Sequence, residues 1–305
     1  MFARFFATNN VASGLLMAIA GSIAFSAKAI IVKLAYRHGV DAVTLIMYRM
    51  LFALPLFVGM AWWASRARGG VAPVALTRRD VWAVVGLGFC GYYLASFLDF
   101  AGLQYISASL ERLILYLNPT LVLILGWVLL GKRITRAQAL GMAFSYLGVV
   151  AVFSHELKLE GDGTPLGAAL VFASALSYAF YLLYSGEYVK RLGSLRLVGL
   201  ATSVACVLCI AQFLVLRPLS AAAVAPEVIW LSLANALFCT ALPVLLVMMA
   251  IERIGSGLAA QSGMVGPIST ILLGWLVLGE PLTAWVLLGT VLVLVGVFVV
   301  SKSAK

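Results

Sequence analysis

Charge is scarce in this 305-residue chain: only 10% of residues are Asp, Glu, Lys or Arg, and 64% are hydrophobic. Soluble domains carry roughly 25% charged and 45–50% apolar residues, so a water-soluble globular protein is excluded. Histidine is nearly absent; His38 and His155 fall between apolar runs and offer no proton relay. The four cysteines, Cys90, Cys206, Cys209 and Cys239, all fall within apolar runs. Cys206 and Cys209 form a C-x-x-C with no second pair or histidine nearby, which reads as packing rather than zinc or redox chemistry. The eleven acids lie in loops or near the ends of runs. A central carboxylate is the usual proton or sodium carrier in a membrane, so its absence argues against a conventional acid-driven coupling site. With no clustered metal ligands and no nucleophile beside a base, the sequence calls for no metal, no cofactor and no enzyme chemistry.

What the chain does hold is long apolar runs. Ten candidates lie near 11–34, 42–64, 81–101, 106–130, 137–153, 165–186, 196–216, 228–250, 257–279 and 282–301, each close to the ~20 residues of a spanning helix. Ten spans use roughly 200 residues and leave no room for a soluble domain. Ser26-Ala27-Lys28-Ala29 imitates a signal-peptide cleavage site, but apolar sequence continues to Leu34, so the first run is expected in the folded protein. With the N-terminus in the cytoplasm, 14 basic residues fall inside and only Arg37, Lys158 and Arg217 outside, as the positive-inside rule requires. The net charge of +10 is therefore a topology signal, and no nucleic-acid partner is implied. Trp62, Trp63, Trp82 and Trp127 fall near the inner interface and Trp230, Trp275 and Trp285 near the outer one, forming aromatic belts.

Residues 106–152 match 254–300 at a constant shift of 148. The match pairs Ile106 with Ile254, Pro119 with Pro267, Gly126-Trp127 with Gly274-Trp275, Gly131 with Gly279, Gly141 with Gly289 and Gly148 with Gly296. A weaker match at a shift of 153 sets Gly14 on Gly167, placing the first run on the sixth. The chain thus divides into two five-helix halves, 1–154 and 155–305. Five crossings are odd, so the second half lies upside down, and the expected fold is an all-α integral membrane protein with ten transmembrane helices as two inverted-topology repeats. That architecture belongs to secondary transporters, which alternate access around a site near the midplane. Gly141 and Gly148, and Gly289 and Gly296, are seven residues apart on one helical face and mark the fifth and tenth helices as closely packed scaffold.

Tyr48-Arg49-Met50-Leu51-Phe52-Ala53, the stretch from Ala108 through Pro119 to Gly131-Lys132-Arg133-Ile134-Thr135, and the second-half set from Ala250 through Pro267 to Gly279-Glu280-Pro281-Leu282-Thr283 resemble the EamA-type transporters of the drug/metabolite transporter superfamily. The resemblance covers nearly the whole chain. Two positions depart from the repeat: Lys132 stands where the second half has Glu280, and Thr202 stands where repeat spacing would place a partner of Arg49. Within the superfamily, Tyr92, Tyr93 and Tyr116-Leu117-Asn118-Pro119 look most like the bacterial aromatic amino-acid exporters of the YddG kind, and the resemblance implies amino acids, aromatic and other neutral ones, as substrates.

Lys28, Arg49, Asp99, Glu111 and Arg112 fall in the outer half of the first four helices, where an unpaired charge is expensive. They read as an outer gate or a contact for a substrate carboxylate, against snorkelling to the interface or static ion pairs. Snorkelling or a static ion pair is the simpler reading for Glu111 and Arg112, because the first turn of a helix tolerates such residues. Pro119 and Pro267 interrupt the fourth and ninth runs and free carbonyls that a cavity could satisfy. Around them Tyr116, Asn118, Gln261, Ser262 and Met264 offer aromatic faces and amides, or simply join helices. Tyr178 and Tyr181 share a face of the sixth run, with Tyr184 an interface anchor, and Asn235 lies in the eighth. The expected substrate-binding set is Tyr92, Tyr93, Tyr116, Asn118, Pro119, Tyr178, Tyr181, Asn235, Gln261, Met264 and Pro267.

The sequence therefore points to a secondary transporter exporting small amphipathic metabolites across a bacterial inner membrane, both termini cytoplasmic. Its partners are a small-molecule substrate and the lipid bilayer, and its oligomeric state stays open between monomer and weak dimer. Other solute classes (nucleosides, nucleotide sugars, cationic drugs) and a non-transporting sensor or channel are the alternatives.

Overall fold

The computed structural model describes residues 11–66, 74–160, 162–262 and 264–302. Every regular element among them is helical. Among the described residues nine helices are long and apolar enough to cross a membrane: Val11–Tyr36, Ala42–Ala64, Arg78–Gly102, Ala108–Leu130, Arg136–Leu157, Thr164–Gly186, Ser194–Leu216, Pro226–Ile251 and Ala284–Lys302. They correspond to expected runs one to eight and ten. The ninth differs: the helix Leu242–Ser262 continues across the expected gap, and the apolar helix after it, Val265–Leu278, is shorter than a full crossing.

The first helix is part of the core, with Met17, Gly21, Ser26 and Lys28 among its buried residues. All seven tryptophans are exposed on the exterior. Asp41 caps the second helix by accepting from the N–H groups of Val43 and Thr44 at 2.9 and 3.3 Å, and Thr77 and Asp80 close a capping box on the third. Such caps satisfy N–H groups that a helix start leaves open.

The fifth and tenth spans pack backbone to backbone. A Cβ on Gly141 would stand 2.7 Å from the Gly296 carbonyl oxygen, and one on Gly148 would stand 2.6 Å from that of Gly289. The contact is antiparallel and reciprocal: exchanging each glycine for its mate at a shift of 148 returns the same two pairs. Other features recur at that shift. Gly131 and Gly279 both end helices at positive φ, 64° and 75°, and the N–H groups of Lys132 and Glu280 both return to the carbonyls of Gly126 and Gly274, each at 3.1 Å.

The third and eighth spans widen into π-helix at Phe89–Leu94 and Leu237–Ala241, whose first residues are also 148 apart. A π turn displaces backbone carbonyls from their usual partners, and hydroxyls take over here. Ser177 Oγ donates to the Cys90 carbonyl at 2.8 Å, and Thr240 Oγ1 to the Asn235 carbonyl at 2.9 Å.

Candidate functional site

The charged residues that the sequence spreads over four helices converge. Lys28 Nζ lies 2.5 Å from Asp99 Oδ2 and 3.0 Å from Glu111 Oε1, so one ammonium bridges carboxylates of the third and fourth spans. Arg112 donates to Ser26 Oγ at 3.2 Å and stands 5.3 Å from the rings of both Phe25 and Tyr116. Arg49 donates through Nε to Thr240 Oγ1 at 3.0 Å and lies 5.1 Å from the Phe100 ring. Exposure is 5% for Lys28, 5% for Arg49, 2% for Asp99, 1% for Glu111 and 6% for Arg112. Of the two structural readings of Glu111 and Arg112, interfacial snorkelling does not fit, because the helix start that holds them is packed inside the bundle, whereas a static ion pair between helices fits Glu111, which meets Lys28. Opposite charges within about 4 Å offset much of the cost of burial, and here the pairing joins separate helices.

The helix start beneath this network is clasped from two sides. Ser107 is the N-cap of Ala108–Leu115, accepting from Leu110 N–H at 3.0 Å, and its own hydroxyl binds the Glu156 carboxylate. Glu280 accepts from Ala108 N–H at 2.7 Å and Ser109 Oγ at 2.8 Å. Carboxylates at a helix N-terminus are favoured by its partial positive charge. Thr240, Glu156 and Glu280 carry this architecture and escaped the sequence reading. A usable signal existed for Glu280, the residue in which the two repeats differ in charge.

Both proline positions break their helices. The fourth span stops at Leu115 and restarts at Asn118, with Pro119 in its first turn; Val265–Leu273 begins two residues before Pro267. The two breaks meet against the first helix. A Cβ on Gly266 would stand 2.5 Å from Arg112 Nη2, 3.0 Å from Ser22 Oγ and 3.1 Å from the Tyr116 hydroxyl. Only glycine lets these groups approach so closely. Asn118, Pro119, Tyr116 and Met264 are partly exposed beside the breaks, and Asn118 Oδ1 has no hydrogen-bond partner. The Gln261 side chain lies outside the described residues.

A second cluster is aromatic. The Tyr92 and Tyr181 hydroxyls are 3.2 Å apart, with ring centroids 5.1 Å apart edge to face. Tyr178 stacks on Tyr181 at 5.4 Å. Tyr93 points elsewhere and meets Phe89 at 5.4 Å. Tyr184 is exposed. Cys206, Cys209 and Cys239 are buried free thiols, and Cys206 Sγ packs 3.7 Å from Met50 Sδ.

Apolar helices with a buried ionic cluster and two interrupted spans define the class: a multi-pass membrane protein with a polar interior. The model of the EamA-like transporter family matches residues 12–154 and 165–302, and the chain belongs to that family. It is 30% identical to the uncharacterized transporter YcbK of Bacillus subtilis over 282 residues, covering 89% of this chain and 87% of that protein. It is 27% identical to the uncharacterized transporter YyaM of the same organism, covering 73% and 74%. A crystal structure at 16% identity superposes with a TM-score of 0.64 over 96% of this chain and 98% of its own length, a likeness of fold.

Proposed function

We propose that this EamA-family transporter exports small amphipathic metabolites carrying a carboxylate, amino acids foremost, by alternating access between two inverted halves, 1–154 and 155–305. The observation that carries the reading is the buried Lys28, Asp99 and Glu111 bridge. It ties the first, third and fourth spans together at the end that the basic-residue bias assigns to the periplasm. An ionic tie between helices can be made and broken as they rock, which apolar packing does less selectively. The antiparallel glycine pairs of the fifth and tenth spans supply the fixed element about which two halves would move. Partly exposed groups at the proline breaks, with the bridge sealed, fit a state closed outside and open inside.

Charge favours an anionic group over a cationic drug. Three basic side chains, Lys28, Arg49 and Arg112, meet two acidic ones, Asp99 and Glu111, among these buried residues, and an incoming carboxylate would balance the surplus base. The direct test is reconstitution in liposomes with labelled amino acids, nucleosides, nucleotide sugars and a cationic drug, with and without a pH gradient. Saturable uptake of neutral amino acids supports the reading. Uptake confined to nucleosides or cations defeats the substrate class, and uptake of none supports the sensor alternative.

A further inference from the structure

Several buried polar atoms in and around the ionic bridge lack a hydrogen-bond partner, among them Asp99 Oδ1, Glu111 Oε2 and Arg112 Nε of the network itself; two further ones sit beside it. Arg49 Nη1 and Asn235 Oδ1 each lack a hydrogen-bond partner, although Arg49 is 5% and Asn235 2% exposed. Leaving a guanidinium donor and an amide acceptor unsatisfied in a dry interior is costly. A single hydroxyl links them: Arg49 Nε donates to Thr240 Oγ1, which donates to the Asn235 carbonyl. The π turn at Leu237–Ala241 puts Thr240 in that position. Around Arg49 stand the Phe100 ring, the thiols of Cys206, Cys209 and Cys239, and the Asp99 carboxylate.

The repeat reveals what the other half does with the same positions. A shift of 148 carries Tyr92 onto Thr240, and a shift of 153 carries Arg49 onto Thr202 and Lys28 onto Tyr181. Tyr92 stands beside Thr202 and bonds Tyr181, so the pseudo-equivalent cluster is aromatic and uncharged. Thr202, Cys206 and Cys209 lie at i, i+4 and i+7 on one face of the seventh span. The seven residues from Thr202 to Cys209 rise ~10 Å, about the length of an amino acid with a large side chain. One cluster offers an unused cationic donor and an unused acceptor; the other offers tyrosine faces.

We propose that Arg49 Nη1 is the docking donor for the carboxylate of a transported α-amino acid, with Asn235 Oδ1 accepting from its ammonium and Tyr92, Tyr178 and Tyr181 holding its side chain. This rests on the transporter reading above. The probes are L-phenylalanine, phenylalaninamide, which lacks the carboxylate, and 3-phenylpropionate, which lacks the ammonium. In proteoliposomes, labelled phenylalanine uptake is inhibited by each unlabelled probe. Phenylalanine should inhibit at least ~10-fold more strongly than the amide, the scale of one charge-assisted hydrogen bond. Arg49→Gln and Arg49→Lys, at normal abundance and monodispersity, should lose that preference, because Lys cannot copy the guanidinium fork. Asn235→Leu should lose only the preference over phenylpropionate. If the variants misfold, the wild-type ranking decides, and equal inhibition by acid and amide overturns the site. Phenylalanine uptake with an acid-over-amide preference that Arg49→Gln leaves intact overturns the docking site and leaves amino-acid transport standing. Absence of any phenylalanine uptake overturns both.

Discussion

Lys28 Nζ sits 2.5 Å from Asp99 Oδ2, 71 residues away in sequence, with both side chains closed off from solvent. The pair shows what each helix alone could not specify. An ammonium in the first span is tolerable in the interior only because the third and fourth spans each bring it an acid. Removing one partner of a buried pair costs about 3–5 kcal/mol, whereas removing the whole set for apolar isosteres can be neutral.

Lys28→Met is therefore expected to lower the melting temperature in detergent markedly, leaving Asp99 and Glu111 without their cation. The triple variant Lys28→Met, Asp99→Asn, Glu111→Gln should recover most of the lost stability and none of the transport. Fluorescence-detected size exclusion after a heat step, run beside vesicle uptake, separates the two effects. A triple variant that transports normally removes the gate role from this cluster.

Glycine packing gives a sharper stability contrast. A Cβ at Gly289 would strike the side chain of Val152 and stand 2.7 Å from the Gly148 carbonyl, whereas Gly59 and Gly86 have nothing within 4 Å. Gly289→Val should cut folded yield severely, by the 1–3 kcal/mol or more that overpacking costs. Gly86→Ala should leave it unchanged. Membrane abundance measured by in-gel fluorescence checks both.

How much of this was legible in the sequence follows from the physics of each signal. Spans, proline breaks and glycine faces were readable because lipid demands long apolar runs and because Pro119 and Pro267 recur at a fixed shift. The meeting of Lys28, Arg49, Asp99, Glu111 and Arg112 was anticipated as a network in outline, since charges inside a bilayer must find partners. Their full burial was not anticipated for Glu111 and Arg112, whose place at a helix start resembles an interface until the packing of neighbouring spans is known. Thr240 was invisible because a π turn leaves no periodic signature, and its hydroxyl reaches Arg49 only through that extra residue. An interruption in the ninth run was legible from Pro267, but the helix continuing through Ser262 was not, because Arg253 and the weaker apolar pattern around it set a gap between the eighth and ninth runs.

Asp41 allows a pH prediction outside the spans. Burial opposes its ionisation, but hydrogen bonds from the Thr44 side chain and the Thr44 and Val43 N–H groups, with the Arg217 charge, outweigh it and hold the carboxyl below its usual value. A lowered folded value stabilises the fold above the unfolded carboxylate pKa of about 3.9 and is lost as pH falls through the folded value. Asp41→Asn should thus narrow the drop in melting temperature between neutral and strongly acidic pH. Differential scanning fluorimetry across that range measures it; an unchanged acid slope removes Asp41 from the account.

Topology is open to labelling. With the 14 to 3 basic bias setting orientation, the loop holding Leu76 should face the cytoplasm and the turn holding Asp162 the periplasm. In a background with the four native cysteines replaced, an impermeant maleimide should label Asp162→Cys in intact cells and Leu76→Cys only after lysis. The opposite pattern would invert the assignment of the Lys28 network from outer to inner gate.

The prolines test whether the two breaks serve one cavity. Pro119 lacks an N–H and so frees the Leu115 carbonyl one turn earlier, while Gly266, beside Pro267, lies against Arg112, Ser22 and Tyr116. Pro119→Ala restores a donor and favours a continuous helix through Tyr116 and Leu117, rotating Tyr116 and Asn118 relative to Gly266. Pro267→Ala does the same for the facing helix. Both prolines stand in the first turn of their helices, where proline is tolerated and alanine is at least as compatible with the helix, so neither change should harm folding, and abundance should hold. Transport per folded molecule should fall severalfold in each variant, and the double variant should be no worse than the poorer single one if both act on a single cavity. Independent, multiplicative losses would assign the breaks to separate sites, and unchanged transport in both variants would reduce the prolines to accommodations of helix packing.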